Sequence, residues 1–174
     1  RTQLGLYYLS LEQPMVAEAE ECLERASREL EWSSASRTDV ARNQLNLARA
    51  RVIAGRYDEA IDLADHVLAT IKHELMTPEA LVVSGCAHFL KGQRENAQFA
   101  FDAARTALTK SIAAQRGRIW FELADCLNEF GDSEGASSAY RSAAIAFGPA
   151  SGGPRIVDQT RRFLTADPRQ TGPD

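Results

Sequence analysis

The stretch "AGRYDEAIDLADHVLA" (residues 54–69) decides the fold, because the chain writes it again. A glycine closes one helical pattern, an alanine follows five positions later, and a new apolar-periodic run begins at once. The same sentence returns as "KGQRENAQFAFDAARTAL" (residues 91–108) and "FGDSEGASSAYRSAAIAF" (residues 130–147). Aligning the alanines Ala19, Ala60, Ala97 and Ala136 gives intervals of 41, 37 and 39 residues. A helix–turn–helix unit repeated near forty residues predicts stacked helical hairpins, each too thin to bury both of its faces alone. Gly55, Gly92 and Gly131 fall where helices end, since a left-handed residue there costs glycine no Cβ clash. Pro14 stands in that place in the first unit and stops the helix by lacking a donor.

Composition agrees. In 174 residues with a net charge of −4, neither sign dominates, so no broad nucleic-acid or membrane footprint is expected. No apolar run approaches the 18 or more residues of a membrane span, and no basic-then-apolar leader opens the chain. The chain starts at Arg1, mid-pattern and without Met, and is read as an excised fragment with a segment upstream. Every basic residue except Lys72, Lys91 and Lys110 is arginine, which with the many alanines suggests a GC-rich bacterial genome. Cys22, Cys86 and Cys126 are odd in number and widely spaced. They are read as small buried hydrophobes in a reducing cytosol, not as a disulfide framework or zinc site.

Periodicity and punctuation place helices at about 2–13, 15–31, 38–54, 57–72, 78–91, 94–110, 113–130 and 133–147, with connections of two to six residues making neighbours antiparallel. Ser36 with Asp39 approximates a capping box, and "MTPEAL" offers Thr77 as N-cap with Pro78 first in the helix. From residue 148 a Gly/Pro/Ser-rich linker begins. It leads to a short helical pattern, "PRIVDQTRRFL", read as a C-terminal cap, and then a disordered tail to residue 174. Arg155, Arg161 and Arg162 read as a solvated face rather than a nucleic-acid contact.

No catalytic motif or metal-ligand spacing occurs around His66, His73 and His88, and the chain is read as a non-enzyme without cofactor or metal. His88 is expected to make an interhelical or core hydrogen bond. The acidic stretch "EAEECLE" is read as a solvated helix face with Arg25 and Arg28 at hand.

Trp120, Leu123, Ala124, Leu127, Gly131, Ala136, Tyr140 and Ala143 together resemble the tetratricopeptide repeat (TPR). Leu81, Gly85, Gly92, Ala97, Phe101 and Ala104 carry the pattern in the preceding unit, and Leu47, Ala48, Gly55, Tyr57, Ala60 and Ala64 in the one before. The first unit keeps only Ala19, Leu23 and Ala26. The resemblance covers residues 2–147. The units exceed the usual length of about 34 and look like the extended repeats of bacterial regulators. It implies an all-α, right-handed superhelical solenoid of about four antiparallel helix pairs. Its first helices would line a concave groove for a protein or peptide.

Carried over unit by unit, the groove positions are Leu4 and Tyr8, then Arg42, Leu45, Asn46, Arg49 and Val52. The third unit supplies Glu79, Val82, Val83, Cys86 and Phe89, and the fourth Arg118, Phe121, Glu122, Asp125 and Asn128. Of the five positions that form a carboxylate clamp in chaperone-tail binders (Leu4, Tyr8, Asn46, Glu79 and Val83), only Asn46 agrees, so that mode is not expected. The reading that follows is a cytoplasmic, signal-receiving interaction domain, the C-terminal part of a bacterial helix-turn-helix transcriptional regulator. The fragment itself would contact neither DNA nor membrane. The alternatives are a free-standing scaffold that self-associates, for instance as a homodimer, and a peptide-pheromone sensor holding peptide backbone through Asn46 and Asn128.

Overall fold

The computed structural model describes residues 15–111 and 116–151. Among these residues the chain is all-helical, with seven helices and no strand. They are α1 (Val16–Trp32), α2 (Arg37–Ile53), α3 (Tyr57–Thr70), α4 (Met76–Leu90), α5 (Arg94–Lys110), α6 (Arg116–Phe130) and α7 (Ser133–Ser151). The expected helix at 2–13 and the C-terminal cap lie outside the described residues, as do Leu4 and Tyr8.

The three glycine turns share one mechanism. Gly55, Gly92 and Gly131 have φ of 76°, 84° and 91°. After α2, the Gly55 N–H donates to the Val52 carbonyl (3.1 Å) and the Arg56 N–H to the Arg51 carbonyl (2.8 Å). This is the Schellman pair, which satisfies two carbonyls the helix would leave bare. Gly92 with Gln93 and Gly131 with Asp132 repeat it residue for residue. The capping device at Ser36 also forms, its Oγ accepting from the Asp39 N–H at 3.1 Å.

Two local expectations change. Helix α4 starts at Met76, so Thr77 is inside it and not the cap. Pro78 is tolerated there because first-turn N–H groups have no intrahelical partner to lose. Helix α7 continues through Gly148 and Pro149 to Ser151, past the expected linker boundary.

Each helix packs on the next, and α2, α4 and α6 also touch directly, α4 lying between the other two. The core follows from size alternation. Ala97, Ala104, Ala136 and Ala143 are fully buried and let backbones approach, while Phe101, Trp120 and Tyr140 fill the space beside them. Helices α4 and α5 approach so closely at Gly85 that a Cβ there would sit 2.5 Å from the Phe101 ring. Buried Asn43 links α1 to α2, donating to the Leu23 carbonyl (3.0 Å) and the Ser27 hydroxyl (2.8 Å).

Gly85→Ala sets two effects against each other. Helix propensity favours alanine by about 1 kcal/mol, but the methyl must displace a buried aromatic ring, an overpacking cost of about 1–3 kcal/mol. Overpacking should win, lowering the urea midpoint by an amount equivalent to about 1 kcal/mol. A raised midpoint would show that the ring can move away freely.

Candidate functional site

The shared face of α2, α4 and α6 collects charges from three units. Arg49 on α2 reaches across both other helices. Its Nε donates to Glu122 Oε1 at 2.8 Å and its Nη2 to Glu122 Oε2 at 3.0 Å, a two-pronged grip on one carboxylate. The same Nη2 lies 2.7 Å from Glu79 Oε1, and Arg118 binds Glu79 as well. Asn46 Oδ1 accepts weakly from Arg49 at 3.4 Å. Two arginines and two glutamates thus make a neutral cluster holding one helix from each unit.

The cluster is substantially desolvated. Glu79 retains only 5% of its accessible surface. Burial alone would raise its pKa, but Arg49 and Arg118 override this and hold it below the ordinary carboxylate value of 4.5. Burial likewise pulls the Arg49 pKa down, and Glu122 and Glu79 push it above its ordinary value.

The site residues carried over from the sequence meet different fates. Leu45 and Val82 are buried in the core, and Asn46 is buried beside Arg49, so none is free to contact a partner. Arg49, expected as an exposed hot spot, is instead engaged by Glu79 and Glu122. Phe89 packs edge-on to Phe130 at 5.2 Å, with the Arg94 guanidinium over both rings. Val83 is buried as well, Glu79 and Glu122 belong to the charge cluster, and Val52 and Cys86 are partly buried, whereas Arg42, Arg118, Asp125 and Asn128 are exposed and Phe121 is half-buried against Tyr140. Asp125 accepts from the Tyr140 hydroxyl. Burial, with Glu122 and Glu129 nearby, still raises its pKa despite that bond.

The cysteine expectation is corrected. Cys86 on α4 and Cys126 on α6 form a disulfide, with Cα atoms 6.3 Å apart and a sequence separation of 40. That separation is one residue more than the 39 between Ala97 and Ala136, so the two sulfurs sit one register step apart on neighbouring first helices. Distance along the chain hid a pairing that the repeat period contained. Cys22 remains a free thiol.

A second charge cluster also escaped the sequence reading. Glu20, Glu24 and Glu59 surround Arg51, at 3.5 Å from Glu20 and 3.1 Å from Glu59, and Arg56 pairs with Glu20. "EAEECLE" is therefore partly an interhelical seam. Exposed Glu18, and Glu21 with Arg25 3.5 Å away, fit the solvated-face reading. His88 behaves as expected, sharing a 2.6 Å hydrogen bond with Gln93. Among the described residues, no group of three His, Cys, Asp or Glu side chains could hold a metal ion, and no helix is long and apolar enough to cross a membrane. No family model and no curated protein matches the chain.

Three outcomes follow from this geometry. Arg49→Ala should cost about 3 kcal/mol, the low end for breaking a buried pair, because Arg118 still serves Glu79; chemical denaturation measures it. A Glu79 pKa depressed in the folded state contributes stability above pH 4.5 that is lost as pH falls through the folded value. Parent stability should therefore fall below about pH 4 more steeply than that of Glu79→Gln. Reducing the disulfide, which closes a forty-residue loop, should cost about 2–4 kcal/mol, seen as a lower urea midpoint in dithiothreitol.

Proposed function

We propose that this chain is a TPR-like protein- or peptide-interaction domain, a right-handed solenoid whose binding surface is the α2/α4/α6 face. One observation carries the reading. That face keeps Arg42, Arg118, Asp125 and Asn128 open to solvent and Phe121 half-open, above charges that neutralise each other. A basic side and an acidic side around an aromatic suit an extended peptide or a helix of mixed character, because arginine and aromatics dominate interface hot spots. The glycine turns, the alanine crossings and the side-by-side first helices support the TPR comparison. The chain has no catalytic role in this reading. The parent protein is proposed to be a bacterial cytoplasmic transcriptional regulator, with DNA binding in another domain.

Self-association is favoured by a different observation. Trp32 and Phe99 are 91% and 78% exposed, and Ile145 is exposed on α7. Large apolar side chains on outer helices suit a second copy of the chain. The peptide-pheromone reading loses support, since Asn46 is buried beside Arg49 and only Asn128 of the two asparagines is open.

Arg42→Glu should weaken partner capture by about 1–3 kcal/mol, with circular dichroism unchanged because Arg42 is exposed. Glu95→Arg, at an exposed site on α5, should leave capture intact. Quantitative mass spectrometry of co-purified proteins checks both. Loss with Glu95→Arg alone would move the interface to the outer helices, and sedimentation at raised concentration would then test the self-association reading. A helix-turn-helix pattern in the upstream reading frame would test the regulator assignment.

A further inference from the structure

We propose that Cys86 and Cys126 form a reversible thiol–disulfide exchange site. A low-molecular-weight thiol of the glutathione class opens it, its disulfide closes it, and the bond sets the joint between α4 and α6.

Three observations converge. First, the bond joins neighbouring units and not residues within one unit, so it acts on how two hairpins sit together. Second, both cysteine residues are only partly buried, so the pair lies at the margin of the core and not inside it, where exchange with a thiolate from solution does not require unfolding the core. Third, the same two helices carry an independent tie. Glu79 lies seven residues before Cys86, on the same side of α4 and about 10 Å away along the axis. Glu122 lies one turn before Cys126 on α6. Arg49 holds both glutamates, and Arg118 holds Glu79 too. When the sulfur bond opens, this ionic tie keeps the two thiols within reach. Closure then competes as an intramolecular step, at an effective concentration of about millimolar or more.

The chemistry balances without a further reagent. A glutathione thiolate attacks one sulfur, and the other leaves as a thiolate that takes a proton. A second glutathione thiolate then attacks the mixed disulfide and releases the remaining cysteine. Two glutathiones are oxidised to their disulfide, and one protein disulfide becomes two thiols. The reverse sequence closes the site.

The test uses the folded full chain in buffers with graded ratios of glutathione to glutathione disulfide. Samples are acid-quenched, alkylated and read by peptide mass spectrometry. The expected result is complete interconversion of the 86–126 pair without denaturant, with Cys22 never entering a protein disulfide. Hydrogen exchange in the last turns of α4 and α6 should be about threefold or more faster in the reduced protein. The first turns, held by Glu79 and Arg118, should be unchanged. Cys86→Ser should show the reduced pattern in every buffer. A pair that stays oxidised in excess glutathione until urea is added would overturn the proposal and make the bond a permanent staple. Separate glutathione adducts on Cys86 and Cys126 in place of the bond would overturn it too. So would identical hydrogen exchange in the two redox states.

Discussion

The structure depends on how closely the two helices of a hairpin can approach. At Gly85 there is no room even for a methyl group against Phe101. Ala97 and Ala104 in the same hairpin, and Ala136 and Ala143 in the next, are fully buried. Close approach in every hairpin fixes which side of each first helix turns toward its partner helix. The opposite side is left for the next unit and for solvent. The contact of α4 with both α2 and α6 follows, and with it the face on which charges from three units meet.

That face is held by electrostatics and not by apolar contact. A carboxylate as buried as Glu79 tolerates desolvation only because two guanidiniums stand against it. Such clusters add little net stability compared with a well-packed apolar core, yet losing one member is costly. Their value here is register. Arg49 can satisfy Glu79 and Glu122 together only when the second, third and fourth units sit in one relative position. Arg49, Glu79 and Glu122 direct their charges at one another, whereas Arg42 and Asn128 stay exposed.

The joint between the last two units is tied twice, by ions toward the start of α4 and α6 and by sulfur toward their ends. The joint between α2 and α4 has an ionic tie and, among the described residues, no covalent one. The two joints therefore differ in how chemistry in solution can act on them. Salt and acid weaken both, whereas a reductant reaches only the second.

Everything periodic was legible in the sequence. Gly55, Gly92 and Gly131 announced the turns because only glycine takes a left-handed φ without strain. The spacing of alanines and aromatics announced the helices, and six of their ranges lie within three residues of the expectation. These signals are local, set by the backbone of a few consecutive residues. The site was legible only as a face. Sequence register put Arg49, Glu79 and Glu122 on one side of the molecule. It did not show that a guanidinium on α2 would cross to two carboxylates 30 and 73 residues away and pair with both. Nor did it show Leu45 and Val82 sinking into the core, or Cys86 and Cys126 meeting across one repeat. Those outcomes belong to the tertiary structure, because they depend on the separation and rotation of packed helices. A difference of an ångström or a fraction of a turn decides whether a groove residue faces solvent, a counter-charge or a second sulfur.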